Sequence, residues 1–377
     1  MQDSTRDRDF PGLRDRIYLN TAAEGIPPIG MRDALASYAA DKAMGMEGRD
    51  ALFAEFAECR QSATDLLGLT TDEVSFCSST SEAYNLLANA VDFGDEGEAV
   101  ITNLDFPSGV TPWVATTYPS ENSSLESPQR GARTGRPLGE TQREHETGAG
   151  FSGQLFDRLS HSLGSISGSR EGESSAGDSL RRRHASSRTR RLGLSRCRLS
   201  VCFQLQMVAG IARILCLVVV PSHARDRITV RAGGWYNLAN AFDDDRFSRA
   251  EPFPGAAGFA VGMPAFPAIY ALRRGIDLIK ETGVPAIATH ADTLLARVHE
   301  GLSETGFETM SPAQPGNSSG IVSFQTTDDA VLNEFLLARG IHVMHQAGRI
   351  RISIHGYNTD ADIDACLDGL REFRKTN

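Results

Sequence analysis

Three short stretches of this sequence carry side chains whose types and spacing suit chemistry. Cys77-Ser78-Ser79-Thr80-Ser81-Glu82-Ala83 joins a strand pattern to a helix pattern. Small hydroxyl residues at that junction aim backbone N–H groups and side-chain donors at an anion, and the helix dipole adds to the attraction. The same residues equally serve as a plain helix N-cap. Leu104-Asp105-Phe106-Pro107-Ser108 follows a second strand pattern. An aromatic at the C-terminal edge of an open sheet either covers a flat ring or anchors the core. In Arg349-Ile350-Arg351-Ile352-Ser353-Ile354 the alternation puts Arg349, Arg351 and Ser353 on one face. A buried arginine there is a planar fork for a carboxylate; exposed arginines would mark a solvated edge strand. His342 and His345, just upstream, read as proton carriers or as polar surface residues.

The flanking elements are set by periodicity. Residues 31–42 and 51–67 have helical spacing; 72–76 reads as a strand leading into a helix whose apolar positions are Tyr84, Leu86, Leu87 and Val91. Residues 98–102 form another short strand pattern. Further on, 265–279 and 286–303 read as helices, 320–324 as a strand, 329–339 as a helix, 349–354 as a strand and 360–374 as a closing helix. Strand–helix alternation on both sides predicts an α/β protein with a C-terminal α+β lobe. The expected division is an N-terminal segment over 1–30, a large domain over 31–255 and a small domain over 256–377.

The net charge of −10 argues against general nucleic-acid binding. Six cysteines with no C-x-x-C pair exclude a disulfide scaffold and a zinc-ribbon pattern; no metal site is expected, and the cytoplasm is the expected compartment. The first ten residues, MQDSTRDRDF, show no apolar signal-peptide core.

The middle of the chain departs from this pattern. Residues 121–200 hold fourteen arginines, sixteen serines, nine acidic residues and no lysine, a block of charge +5 inside an acidic chain. The block has neither helical nor strand periodicity and too little apolar surface to offset its ordering entropy. An apolar run, Val201 to Val220, follows it; with Arg213 inside, a membrane span is not expected. The whole stretch 121–221 is anomalous, Ser/Arg-rich and then apolar. Text of this kind is what a coding region gives when read out of frame. It predicts two compensating frame shifts, with the helix over 79–91 and the strand over 98–102 deprived of their packing partners.

IYLNTAAEGIPP (17–28), STSEAYNLLANAV (79–91), ITNLDFPSGVTPW (101–113), VGMPAFPAIYAL (261–272) and GRIRISIHGYNTDADID (348–364), in this order, resemble the class V aminotransferase family. The resemblance implies the α/β fold of the pyridoxal-phosphate (PLP) dependent transferases, aspartate aminotransferase-like, with a smaller α+β C-terminal domain. It implies an amino-acid substrate, PLP as cofactor and a homodimer. It places Ser79, Thr80 and Ser81 on the cofactor phosphate and Phe106 on the pyridine ring. Arg351 falls on the substrate carboxylate, and Asn20 in a turn beside the substrate. Residues near Gly262-Met263 would approach the phosphate from the other subunit. Cysteine desulfurases of the family carry a nucleophilic cysteine in the loop before the arginine strand. Residues 342–348 contain none, so the chain looks more like the isopenicillin-N-epimerase-like branch.

PLP enzymes need a lysine for the Schiff base and a carboxylate for the ring nitrogen. The family has both in mid-chain, yet this chain has lysine only at Lys42, Lys280 and Lys375 and no D-x-x-Q between 120 and 235. The expectation is therefore an enzyme by descent with no catalytic lysine, no covalently attached cofactor and no activity. The alternatives are a non-catalytic PLP-fold binding protein or an Arg-rich interaction protein.

Overall fold

A computed structural model describes residues 3–91, 99–101, 107–116, 132–134, 201–204, 215–311 and 320–376. Phe106 and almost all of the Ser/Arg block lie outside the described residues.

The N-terminal segment contains helix α1 (Asp3–Asp9) and a short strand β1 (Ile17–Tyr18). Helices α2 (Ile29–Ala43) and α3 (Arg49–Leu67) come next, then strand β2 (Val74–Cys77) and helix α4 (Thr80–Ala90). Strand β3 (Ala99–Ile101), helix α5 (Pro107–Thr116) and strands β4 (Ala132–Thr134), β5 (Val201–Gln204) and β6 (Cys216–Val219) complete this half. Helix α6 (Phe266–Thr282) and helix α7 (Val284–Glu304) lead into strand β7 (Ile321–Gln325) and helix α8 (Asp329–Leu337). Strands β8 (Ile341–His342), β9 (Met344–His345) and β10 (Arg349–Ser353) precede the closing helix α9 (Asp360–Thr376).

Within the apolar run after the Ser/Arg block, Val201–Gln204 and Cys216–Val219 are strands. β6 pairs antiparallel with β2 on one edge and with β5 on the other. No helix of the described residues is long and apolar enough to cross a membrane. β2 and β6 are buried throughout, as expected of strands covered on both faces. Their side chains divide by the two-residue period. Val74 and Phe76 face Val219 and Leu217 in a core closed by α2, α3 and α6. Cys77, Cys216 and Val218 face the other way, toward Leu87, Trp113 and Phe259. The expectation that the 79–91 helix loses its packing partners is thereby corrected: α4 packs on β6 and α5. The pairing needs only a run of apolar, β-prone residues, which Leu215–Val220 supplies whatever its origin.

α6 lies beyond the boundary expected at 255/256, yet its buried residues Phe266, Ile269, Leu272 and Ile276 pack with α2 and α3. A separate core is formed by α7, α8 and α9 on one face of the antiparallel sheet β7-β10-β9. Ile350 and Ile352 point into that core, which sends the odd-numbered residues of β10 to the opposite face.

Candidate active site

The opposite face of β10 is met by the turn after β1. β1 runs parallel to β8, and Asn20 forms a bridge with Ser353. Ser353 holds the turn at two points: its Oγ accepts from Ala22 N at 3.0 Å and donates to Leu19 O at 3.2 Å. Tyr357, fully buried, supplies a third tie, a 2.5 Å hydrogen bond between its hydroxyl and Thr21 Oγ1. Asn358 adds a fourth by donating to Tyr18 O. So fixed, Asn20 Oδ1 accepts from Arg351 Nη2 at 3.4 Å. Sequence reasoning had no access to the Tyr357–Thr21 tie; a tyrosine inside the HGYNT run was the sole local signal.

Arg351 is 7% exposed, and its Nε is buried without a partner. Burial first, then the neighbouring Arg349 charge, holds the guanidinium below its usual value. It stays charged, since arginine does not deprotonate in proteins. A buried cation whose donors are not all used is a preorganised fork for an incoming carboxylate. His342 packs its ring 5.9 Å from Tyr18, and burial with the nearby Arg16 charge pushes its imidazole down, keeping it neutral near pH 7. His345 lies on the surface, 3.8 Å from Asp329.

The hairpin before β10 is tight. Gln346 N donates to Arg349 O across two residues, Ala347 and Gly348, with φ of 53° and 74°. Two positive φ values in a two-residue hairpin make a type I′ turn. Such a turn has no room for a long catalytic loop. The described cysteine side chains, Cys59, Cys77, Cys216 and Cys366, are all buried. Burial pushes the Cys366 thiol up to about 12, and those of Cys59 and Cys77 still further, so none of these three is a thiolate at neutral pH.

The hydroxyl cluster caps α4. Ser79 Oγ accepts from Glu82 N at 3.1 Å, while the Glu82 carboxylate accepts from both Ser78 N and Ser78 Oγ. This leaves the N–H groups of Thr80 and Ser81 as the open donors of the first turn. Thr80 Oγ1 is buried without a partner, and Ser81 is exposed. Among the described residues, no hydrogen bond joins this turn to Asn20 or Arg351. The structure therefore brings Asn20 and Arg351 together and leaves Ser79, Thr80 and Ser81 as a separate cluster.

A model of the family described as Aminotransferase class-V matches residues 30–119 and 240–366. The chain belongs to the class V aminotransferase family. The stretch between the two matched segments, 120–239, contains the Ser/Arg block. A probable cysteine desulfurase of Methanothermobacter thermautotrophicus is 29% identical over 112 residues, 28% of each chain. The matched part thus spans little more than a quarter of that relative. Among solved structures, the cysteine desulfurase of Thermococcus onnurineus NA1 superposes with a TM-score of 0.74 at 18% identity, covering 100% of this chain and 99% of that one. The cysteine desulfurase CsdA of Escherichia coli gives 0.71 at 13% identity, covering 100% and 99%. The cystine C-S lyase C-DES, in complex with cysteine persulfide, gives 0.70 at 15% identity, covering 96% and 99%. These likenesses establish the fold, the α/β fold of the PLP-dependent transferases with a smaller C-terminal lobe.

The family cofactor is PLP, and the residues present fit it at one end. The unpartnered Thr80 hydroxyl and the open N–H groups of α4 suit a phosphate. The aldehyde end does not fit. Lys280 is on the surface in an ion pair with Asp65 at 3.1 Å, and Lys42 and Lys375 are exposed near the C-termini of α2 and α9. None lies at the Asn20–Arg351 face.

Proposed function

We propose that this chain is a class V aminotransferase-fold protein that binds an amino acid and a phosphorylated cofactor but does not turn over. The observation that carries this reading is the position of the lysines, all three on the surface and one engaged with Asp65. When bound, PLP supplies an aldehyde and an electron-accepting ring; with no lysine to meet the aldehyde, that chemistry has no point of attachment on this chain. In this reading Arg351 takes the carboxylate, Asn20 fixes the guanidinium, and Thr80 with the Ser79–Ser81 backbone takes the phosphate. Phe106 covers the ring.

Within the family the reading favours the isopenicillin-N-epimerase-like branch over the desulfurases. The short hairpin at Ala347-Gly348 and the buried thiols support this. The reading carries a homodimer with Gly262-Met263 at the shared face, and a cytoplasmic location. It also takes residues 120–221 as out-of-frame text replacing the segment that holds the lysine in relatives; reading the gene in all three frames tests this, and a G-[HY]-K sequence in another frame is the expected result.

The experiment for function is a PLP titration of the purified full chain, followed spectrally and by borohydride trapping. The expected result is saturable binding with no visible-region imine band and no trapped cofactor. A trapped cofactor on any lysine, or turnover of an amino acid, would overturn the reading. A non-catalytic ligand-binding role is favoured specifically by the unused donors at Thr80 and Arg351.

A further inference from the structure

The face of β10 that presents Arg351 holds one more cation than a single carboxylate requires. Arg349 and Arg351 are two residues apart on one strand, so they project to the same side with Cα atoms about 7 Å apart. They feel each other: the Arg349 charge is a cause of the lowered Arg351 value, second only to burial. Nε of each is buried and unpartnered. Among the described residues, no carboxylate lies within ion-pair distance of either guanidinium. This sets the two apart from Arg297, Arg339 and Arg371 of the same lobe, each of which holds a carboxylate. The nearest acidic groups, Glu24 beside Tyr18 and Asp329 at the Gly348 N–H, form no ion pair with either arginine among the described residues. Two like charges side by side, Arg351 buried and Arg349 half-buried, are costly unless an anion neutralises them. An anion with two charged ends, one for each guanidinium, does so best.

We propose that Arg349 is a second anion subsite and that the site takes an amino acid with an acidic side chain. Arg351 receives the α-carboxylate, the role given to it under the proposed function, on which this proposal rests, and Arg349 receives the distal acid. The type I′ turn at Ala347-Gly348 sets the start of β10 and hence the register that places the two guanidinium groups side by side. A neutral amino acid fills one subsite and leaves Arg349 without its counter-ion.

The test is calorimetric titration of the full chain with L-glutamate, L-aspartate and L-alanine, without cofactor. The acidic amino acids are expected to bind about tenfold or more tightly than alanine, the gain of one charge-assisted pair. Arg349→Gln is expected to erase that preference, and Arg349→Lys to restore part of it. Arg351→Gln is expected to weaken all three. If Arg349→Gln leaves the preference intact, or lowers all three equally, the second subsite is wrong while the role of Arg351 stands. If Arg351→Gln changes nothing, or no amino acid binds the unaltered chain, the reading of the carboxylate site falls as well.

Discussion

Removing the Tyr357 hydroxyl tests how the turn that carries Asn20 is held. In Tyr357→Phe the ring keeps its packing against Phe10 and His355, at centroid distances of 5.0 and 4.2 Å. What is lost is the 2.5 Å bond to Thr21 Oγ1, and Thr21 is 0% exposed. Its hydroxyl is then buried with no partner, at a cost of about 1–3 kcal/mol. Thr21→Val strands the phenol in the same way and at a similar cost. Making both changes removes the donor and the acceptor together, which is nearly neutral by comparison. The double variant is therefore expected to be more stable than either single one, giving a coupling of about 2 kcal/mol or more. Equilibrium urea unfolding followed by far-ultraviolet circular dichroism measures all four corners of the cycle. Burial raises the Tyr357 phenol above its ordinary range, so the coupling is expected to be the same at pH 7 and pH 8.5. Strict additivity of the two substitutions would refute the argument that this bond holds the turn.

Four further outcomes are expected. Ala347→Asn relieves a non-glycine residue at φ 53° in the β9–β10 turn and should stabilise the chain by about 1 kcal/mol, read as a rise in unfolding midpoint. Gly234→Ala would put a Cβ 2.1 Å from the Val261 carbonyl oxygen, which is backbone and cannot step aside; a loss of about 2 kcal/mol or more is expected, with faster proteolysis around Trp235. His299 is half-buried with a buried, unpartnered Nε2, and burial alone lowers its value from 6.5. As pH falls through that range the unfolded chain takes up the proton first, so stability drops from pH 7.5 to 5.5; His299→Leu should flatten that drop, and an unchanged slope would count against it. Lys280→Met removes an exposed ion pair with Asp65 and should change stability by less than about 1 kcal/mol, with no effect on PLP binding; a spectral change on mixing with PLP that disappears in this variant would point to Lys280 after all.

Much of the scaffold is legible one element at a time. The helical spacing at 265–279 anticipates α6, and the alternation of RIRISI anticipates β10 with its arginines on one side. The positions of the three lysines require no structure at all. The expected loss of packing around residues 79–91 was the error, and its cause is physical. Composition marks the middle of the chain as anomalous, but it does not say that Leu215–Val220 fills the place beside β2.

The sequence alone determined which residues are cations, hydroxyls and apolar faces, because these follow from side-chain type and from periods of two and 3.6 residues. Tertiary structure alone decided that Asn20 meets Arg351 across 331 residues, that Thr21 is tied to Tyr357, and that α6 joins the core of α2 and α3. Those contacts are non-local. Local propensity carries no information about them; they exist because burying both faces of β2 and one face of β10 leaves the chain few ways to close. The same closure leaves Arg349 and Arg351 on one face with no carboxylate of the described residues paired to either, a charge arrangement that a strand pattern suggests and that only the packed molecule makes consequential.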